Sequence, residues 1–353
     1  LDGTAVEPRT LGSAVRRSQA NLVVISVPGA AATTEALDAI DAGANVMLFS
    51  DNVPVGAEVA LKDAAAERGV LVMGPDCGTA VVGGVALGFA NVGRSDVEPS
   101  VGLVAASGTG AQQVMCLLDA AGVGITHCLG VGGRDLSAAV GGRSTRQALL
   151  ALDADPATQL IVIVSKPADP AVLAQVEALA AGLGTPVSWA TLGAGRPDLS
   201  AAVETVLNDA ALNDAVLNDA GVPTPQWPSW VHEEAPVAGS LRGLFCGGTL
   251  ADEAMLVAQE TLGPIHSNIP LSPELALAPG LASVGHTVID FGDDGMTRGR
   301  AHPMIDPTLR LERIAAEAAD PSCGVLLLDL VLGYGAHPDP AGELAAAISA
   351  ARA

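Results

Sequence analysis

Short apolar runs recur along the chain, and each is followed by Gly, Ser or Asp and then by an Ala- and Leu-rich segment of helical period. Parallel α/β domains have this pattern because their strands are buried on both faces and read as continuous apolar runs. The runs predict strands at residues 22–27, 46–49, 71–73, 102–106, 125–129, 160–164, 187–192, 241–245, 286–291 and 325–330. The periodic segments predict helices at residues 33–42, 55–68, 110–121, 171–182, 250–262 and 309–319.

The alternation stops between Glu204 and Gly239. The sequence Leu-Asn-Asp-Ala occurs three times within residues 207–220 at a five-residue period, and a Pro-rich stretch with Trp227 and Trp230 follows. A five-residue step moves about 140° around a helix, so the leucines cannot hold one continuous helical face. We therefore predict an interdomain linker at residues 205–239, whose tryptophans pack onto a domain rather than form a stacking platform.

Two parts of the chain resemble each other. Residues 102–115 read as a strand, a Gly-Thr turn and a helix, and residues 243–255 have the same order. In each part a second strand ends in a polar glycine loop, at residues 132–135 and 292–295, and a third strand again ends in polar residues. The sequence therefore predicts two related α/β units.

The composition excludes several classes of partner. The chain has 17 basic and 39 acidic residues, and its formal net charge is −22. Nucleic acids and anionic membranes both require concentrated Lys and Arg, so neither is a predicted partner. Gly, Asp or Pro interrupts every apolar run before it reaches the length of a membrane helix, and the five cysteines show no C-x-x-C spacing. We expect a soluble, cytoplasmic protein with free thiols and no structural zinc.

The sharpest local feature is the sequence Ala-Ser-Gly-Thr-Gly at residues 106–110, between a predicted strand and a predicted helix. The first N–H groups of a helix and the positive end of its dipole attract phosphate or carboxylate. An ordinary N-cap formed by the Ser or Thr hydroxyl is the alternative. Two facing units would direct two such helix starts at one anion. The predicted phosphate-binding residues are Ser107, Gly108, Thr109 and Gly110 in the first unit and Gly247, Gly248 and Thr249 in the second.

Further polar residues fall at predicted carboxyl ends of strands, where open α/β sheets bind their ligands. Lys166, one of only two lysines in the chain, is placed to hold an anion, and a salt bridge at the loop end is the alternative. Arg134 suits a carboxylate or a phosphate because its guanidinium donates two parallel hydrogen bonds. The corresponding residues of the second unit are Asp293, Asp294, His337 and Asp339.

A polar, proline-bounded loop spans residues 299–307. His302 in this loop is a candidate general acid/base or ligand. The alternative is that the His-Pro and Asp-Pro pairs cap loops through hydrogen bonds from side chain to backbone. No fixed ligand spacing supports a metal site, so no metal is predicted. A Gly-x-Ser-x-Gly elbow is also absent from the sequence, which disfavours nucleophilic hydrolase chemistry.

These motifs together resemble the succinyl-CoA synthetase superfamily and, within it, the FdrA-type proteins. The α-subunit pattern is matched by Met73-Gly-Pro-Asp-Cys77, Ala105-Ala-Ser-Gly-Thr-Gly110 and Gly130-Val-Gly-Gly-Arg-Asp-Leu136. The FdrA pattern is matched by Leu244-Phe-Cys-Gly-Gly-Thr249, Asp290-Phe-Gly-Asp-Asp294, His302-Pro-Met-Ile-Asp-Pro307 and Leu332-Gly-Tyr-Gly-Ala-His-Pro-Asp339. The resemblance covers nearly the whole chain outside the linker.

The resemblance implies an α/β fold with parallel sheets. It places a truncated Rossmann domain of the CoA-binding type at residues 1–98 and a flavodoxin-like domain of the α-subunit type at 99–204. A second flavodoxin-like domain, of the β-subunit type and also truncated, would span 240–353. Expected partners are small anionic substrates and other subunits of an oligomeric complex.

Two departures from the synthetase pattern bear on function. Synthetases of this superfamily carry a phosphorylated histidine after the strand equivalent to residues 187–192, whereas no histidine lies here between His127 and His232. The chain also lacks the lysines and the length of a nucleotide-grasping domain, and it begins after the glycine loop that would hold CoA phosphates. CoA ligation by this polypeptide alone is therefore not expected.

The resemblance instead implies an enzyme that works within a complex, an FdrA-type carbamoyltransferase of allantoin degradation. That enzyme interconverts oxalurate plus phosphate with oxamate plus carbamoyl phosphate. In this function His302, Lys166 and Arg134 would be catalytic, and the four polar residues of the second unit would bind substrate. The alternatives are an acyl-CoA synthetase subunit that requires a separate nucleotide-binding subunit, and a non-catalytic scaffold. CoA and phosphate remain the possible cofactors.

Overall fold

The computed structural model describes residues 7–92, 96–209, 211–212 and 237–352. These residues form two compact units. The first holds the described residues of the ranges 1–191 and 200–223, and the second those of 192–199 and 224–353. Most of the predicted linker, including Trp227 and Trp230, lies outside the described residues.

The first sheet of unit 1 is parallel and has the strand order β1-β2-β3. Its helices have apolar faces of helical spacing; in α2, for example, Ala32, Ala36, Ala39 and Ile40 are all buried. The helices α1, α2 and α3 pack on one side of the sheet and share with it a core of small and branched residues. The elements are α1 (Leu11–Ser18), β1 (Leu22–Ile25), α2 (Gly29–Asp41), β2 (Asn45–Leu48), α3 (Val55–Arg68) and β3 (Val72–Met73).

The second sheet of unit 1 has six strands in the order β5-β4-β7-β6-β8-β9. Strand β6 is buried along its whole length and pairs in parallel with β7 on one side and β8 on the other. The strands are β4 (Thr79–Val82), β5 (Val85–Gly88), β6 (Ser100–Ala106), β7 (Gly124–Gly130), β8 (Leu160–Ser165) and β9 (Val187–Thr191). The helices are α4 (Gly108–Ala120), α5 (Arg143–Asp153), α6 (Pro170–Ala180) and α7 (Leu199–Leu207).

Unit 2 contains a parallel four-stranded sheet in the order β11-β12-β10-β13. The strands are β10 (Ser240–Phe245), β11 (Ile265–Ser267), β12 (His286–Asp290) and β13 (Cys323–Leu328). The helices are α8 (Gly248–Leu262), α9 (Asp294–Thr297), α10 (Thr308–Ala318) and α11 (Pro340–Arg352), and residues Pro273–Leu275 form a short 3₁₀ helix. No helix among the described residues is long and apolar enough to cross a membrane.

The predicted α/β fold is confirmed, and the connectivity matches the predicted repeat. Strand β6 lies between β7 and β8, and β10 lies between β12 and β13. In both sheets the strand that precedes the Gly-Thr turn is therefore flanked by the two later strands that the repeat predicts, although in unit 2 the short strand β11 comes between them in sequence. This arrangement places the three polar loops of each repeat at one carboxyl edge of its sheet.

The sheets are mainly parallel, as predicted. One hairpin was not predicted: β4 pairs antiparallel with β5, and β4 also pairs antiparallel with β7. The signal for this hairpin was present in the sequence Val-Val-Gly-Gly-Val at residues 81–85. Gly83 and Gly84 have φ values of 56° and 75°, the positive values that a tight two-residue hairpin turn requires.

Candidate functional site

The carboxyl edge of the six-stranded sheet carries the start of α4. Ser107 is its N-cap, and the Ser107 hydroxyl accepts a hydrogen bond of 3.0 Å from the Gly110 N–H group. The predicted alternative, an ordinary N-cap, is therefore present at this position. Among the described residues, however, the N–H groups of Gly108 and Thr109 have no hydrogen-bond partner, and Gly108 is exposed. Two donors at the positive end of the helix thus remain available to an anion.

Lys166 follows β8 at the same edge, one residue beyond Ser165, which pairs with Ala106. Its side chain is half-buried and makes no ion pair or hydrogen bond within the described parts of the chain. The Lys166 ammonium lies 3.9 Å from the position that a Cβ on Gly133 would occupy. The salt bridge considered for Lys166 is thus not found there, and its charge faces the glycine loop after β7.

That glycine loop approaches the first sheet closely. Gly132 has a φ of 94°, and a Cβ there would lie 2.9 Å from the carbonyl of Gly74. Only glycine fits such a position, because a side chain would require both a left-handed backbone and space that is already filled. The loop therefore packs against residues 74–75, which follow β3, and its exposed residue Gly133 faces Lys166.

Arg134 in the same loop already has a protein partner. Its Nε and Nη2 atoms lie 3.2 and 3.1 Å from Oε2 of Glu58, and Nη2 donates to the Val53 carbonyl at 2.8 Å. Glu58 is fully buried, and its carboxylate offsets the positive charge of Arg134 that was predicted to pair with a substrate anion. A direct role for Arg134 in catalysis stays a prediction, whereas its contact with α3 is part of the fold.

The start of α8 in unit 2 is organised differently from the start of α4. Gly247 occupies the N-cap without a side-chain hydrogen bond, and Gly248 and Thr249 are buried. The preceding N–H group, of Cys246, donates to both carboxylate oxygens of Asp329 at 3.0 Å. The Asp329 carboxylate thereby fixes the backbone from which α8 begins.

Arg310 balances this carboxylate. Its Nη2 lies 2.7 Å from Oδ1 of Asp329, its Nη1 donates to the Cys246 sulfur at 2.9 Å, and its Nε donates to the Leu244 carbonyl. Burial raises the pKa of Asp329, although the Arg310 charge opposes that effect. Burial also raises the pKa of Cys246 to about 12, so its thiol stays protonated at neutral pH. This cluster is a structural support rather than a nucleophile.

His302 lies against the glycine that follows β12. A Cβ on Gly292 would lie 2.9 Å from Nε2 of His302, 3.1 Å from Oδ1 of Asp290 and 2.6 Å from the Cys246 carbonyl. The Met304 N–H group donates to Nδ1 of His302 at 3.3 Å, so the neutral ring carries its proton on Nε2. The structure therefore brings the imidazole, the buried Asp290 carboxylate and the Cys246 carbonyl together, and it presents Nε2 as the proton-bearing atom.

The four remaining polar residues of unit 2 lie near turns and helix starts, and three of them make local hydrogen bonds to the backbone. Asp293 accepts from the Gly295 N–H group at 2.9 Å and so begins α9, whose first residue is Asp294. His337 accepts from the Asp339 N–H group, and Asp339 accepts from the Gly342 N–H group. These bonds are the capping alternative considered for this region, and substrate binding by the four residues stays a prediction.

The loop after β9 has no histidine, and in unit 2 it packs on α8. Residues 192–198 line a cavity of about 170 Å³ together with α8 residues that include Glu253 and Glu260. Glu253 accepts a hydrogen bond of 2.7 Å from the Leu199 N–H group, and burial raises the pKa of its carboxyl. Arg196 is the cationic residue of this loop.

Some of these residues were missed by the sequence analysis. Asp290 and Asp329 each end or follow an apolar strand, so the strand-end signal that selected Lys166 applied to them as well. No such signal marks Arg310 or Glu58, because both lie within helices and their partners are distant in sequence. Among the described residues, no group of three or more His, Cys, Asp or Glu side chains is arranged to hold a metal ion.

Comparison with known proteins gives the family. The chain is 41% identical to the protein YahF of Escherichia coli K12 over 356 aligned residues. The alignment covers 98% of this chain and 68% of YahF. The chain belongs to the YahF family. Residues 244–353 also match the CoA-ligase family.

Two further similarities are weaker. The chain is 29% identical to the succinate–CoA ligase [ADP-forming] subunit alpha 2 of Archaeoglobus fulgidus, over 43% of this chain and 52% of that subunit. The solved dinucleotide-forming acetyl-coenzyme A synthetase 1 of Ca. Korarchaeum cryptofilum aligns with a TM-score of 0.35 and 18% identity, over 94% of this chain and 73% of that one. The sequence matches support the predicted resemblance to the succinyl-CoA synthetase superfamily. The chain spans about half the length of the archaeal subunit.

Proposed function

We propose that this chain is an FdrA-type subunit of a carbamoyltransferase that interconverts oxalurate plus phosphate with oxamate plus carbamoyl phosphate. The FdrA motifs at residues 244–249, 290–294, 302–307 and 332–339 support this reaction, and the CoA-ligase match over residues 244–353 supports the wider class of acyl-transfer chemistry. In this proposal the start of α4 binds the phosphate group.

The proposal rests mainly on Lys166, whose ammonium has no protein counter-ion in the described residues. Lys166 is a half-buried residue, and a bound anion would offset its charge. It lies at the same sheet edge as the unpaired N–H groups of Gly108 and Thr109, and the whole chain is strongly acidic. An anion at this edge would satisfy the ammonium and the helix start together.

The reaction itself needs positioning and charge stabilisation more than covalent help from the protein. A phosphate oxygen attacks the carbamoyl carbon of oxalurate, the bond from that carbon to the oxamate nitrogen breaks, and the nitrogen takes up a proton while phosphate releases one. Lys166 would offset the charge on phosphate. His302 is the proposed proton donor to the leaving nitrogen: its Nε2–H would protonate that nitrogen, and the proton that phosphate releases would restore the ring.

Calorimetric titration with inorganic phosphate tests the binding part of this proposal. The Lys166→Met variant should bind phosphate about ten- to a hundredfold more weakly, because a hydrogen bond to a charged group contributes about 1.5–3 kcal/mol. The double variant S107A/T109A should also bind more weakly. The matched control is Arg143→Gln, which removes a half-buried cation paired with the exposed carboxylate of Asp63. Equal phosphate affinity in wild type and Lys166→Met would rule out the site.

An assay of oxalurate phosphorolysis tests the reaction. The wild-type chain, combined with the proteins encoded by its neighbouring genes, should form carbamoyl phosphate. The His302→Asn variant should lower kcat by a larger factor than it changes KM. Phosphate binding without any phosphorolysis, with or without those subunits, would retain the anion site and dismiss the carbamoyl transfer.

The second candidate is an acyl-CoA synthetase subunit that works with a separate nucleotide-binding subunit. The CoA-ligase match and the succinate–CoA ligase relative favour it. It predicts CoA binding and acid-labile histidine phosphorylation after incubation with ATP and a partner subunit, although the loop at residues 193–198 offers no histidine. A scaffold role, by contrast, predicts that the activity of the complex survives simultaneous replacement of Ser107, Lys166 and His302.

A further inference from the structure

Lys62, the second lysine of the chain, is wholly buried in α3. Its ammonium donates to Oε1 of Glu58 at 2.7 Å, to Oδ1 of Asp135 at 2.7 Å and to the Val131 carbonyl at 2.9 Å. An ammonium has three donors, so all of its hydrogen-bonding capacity is used. Unlike Lys166, this lysine has no donor left for a ligand.

Two of these three bonds go to opposite ends of the glycine loop. Val131 precedes Gly132 and Gly133, and Asp135 follows them. Lys62 therefore binds both ends of the glycine loop, like a clamp, although it lies on α3, which packs on the three-stranded sheet of unit 1. The Asp135 N–H group also donates to the Gly132 carbonyl at 3.1 Å, so the loop is folded back on itself between the two contacts.

The remaining contacts of the cluster complete the support of the loop. The second carboxylate oxygen of Glu58 pairs with Arg134, the residue after Gly133. Asp135 accepts further bonds from the Ser144 and Thr145 N–H groups at the start of α5. Lys62 and Arg134 carry two positive charges, and Glu58 and Asp135 carry two negative charges, so these four side chains together add no net charge. Lys166, beside the loop, has no such counter-charge in the described residues.

We propose that Lys62 is a positioning residue for the anion site: it holds Gly132 and Gly133 in the place where the loop and Lys166 together face a bound phosphate. This inference rests on the proposed function, because it gives the clamp a role in binding. Lys62 does not touch the ligand. Its removal acts on affinity by releasing the loop that Lys166 faces.

The test compares Lys62→Met with wild type by phosphate calorimetry and by hydrogen exchange at the amides of residues 131–135. Phosphate affinity should fall about tenfold, which corresponds to about 1.4 kcal/mol. Exchange at the Asp135 amide should accelerate under conditions where circular dichroism shows a folded chain. A merely structural lysine would lower the midpoint of unfolding without changing the phosphate affinity of the molecules that remain folded.

The matched control is Asp63→Asn, which breaks an exposed contact of 2.7 Å between the same helix and Arg143 of α5. It should leave phosphate affinity within twofold of wild type. If Lys62→Met does not fold, Lys62→Arg takes its place, because it keeps the charge that offsets Glu58 and Asp135 but its planar fork cannot reproduce three tetrahedral bonds.

The outcomes separate this inference from the proposed function. A folded Lys62 variant with unchanged phosphate affinity and unchanged exchange at residues 131–135 would overturn the positioning role. Failure of the wild-type chain to bind phosphate would instead remove the proposed function, and the exchange measurement would still decide whether Lys62 holds the loop.

Discussion

The substitution Gly292→Ala adds one methyl group beside His302, Asp290 and Cys246 in unit 2, and we expect it to disturb the packing of these residues. The φ of Gly292 is not positive, so the cost of the substitution is one of space alone. The added Cβ would lie 2.6 Å from the Cys246 carbonyl and 2.9 Å from Nε2 of His302. Ordinary contacts begin near 3.4 Å, so the neighbours must retreat by several tenths of an ångström.

The two neighbours differ in how easily they can move. The Cys246 carbonyl is backbone next to the start of α8, and the Cys246 N–H group is held by Asp329. The His302 ring is a side chain and should therefore be the group that is displaced. Overpacking of this kind costs about 1–3 kcal/mol, and the loss of the Met304–His302 hydrogen bond falls within that range.

Urea denaturation and nitrogen NMR of labelled histidines measure the two consequences. We expect the free energy of unfolding to drop by about 1–3 kcal/mol and the His302 resonances to leave the pattern of an Nε2-protonated ring. The control is Gly295→Ala, whose Cβ would meet only the flexible Asp293 carboxylate, at 3.0 Å. Unchanged stability and unchanged His302 resonances in Gly292→Ala would refute the packing described for this site.

Two further predictions concern thiols and pH. Burial raises the pKa of Cys246 to about 12, whereas Cys116 is exposed. Iodoacetamide at pH 8 should therefore label Cys116 in the native chain, and mass spectrometry should find Cys246 labelled only after denaturation. Labelling of Cys246 in the native chain would contradict its burial. Burial also raises the pKa of Glu317, but hydrogen bonds from Ser283 and Arg313 outweigh it and hold the pKa below the ordinary value of 4.5. Glu317 therefore stabilises the fold above that pH and loses its contribution as the pH falls, so urea denaturation of Glu317→Gln should show a weaker loss of stability in acid, and equal acid sensitivity would count against this pairing.

Local sequence pattern was sufficient for most of the long strands and helices and for the repeat. The period of apolar residues depends only on the geometry of the strand or helix they occupy, so β6, α4, β10 and α8 could be located without any knowledge of the fold. The hairpin of β4 and β5 was missed although its Gly83-Gly84 turn is a local signal.

The state of the polar residues could not be predicted in the same way. Arg134 and Lys166 looked equivalent in the sequence, since both follow apolar strands and both are cationic. In the folded chain Arg134 is paired with Glu58, a residue on another helix, whereas Lys166 has no such partner in the described parts. A helix places Glu58 one turn before Lys62, but only packing of the two sheets brings both beside the glycine loop.

The sequence by itself therefore determined the α/β class, the duplicated strand–turn–helix and the superfamily, because each is written in neighbouring residues. Only the tertiary structure decided that Asp290 lies beside His302, that Asp329 holds the start of α8 and that Lys62 clamps the loop after β7. Those contacts join residues far apart along the chain, and their partners are selected by burial: a charged or hydrogen-bonding group removed from water has to find its counterpart wherever the fold brings one close.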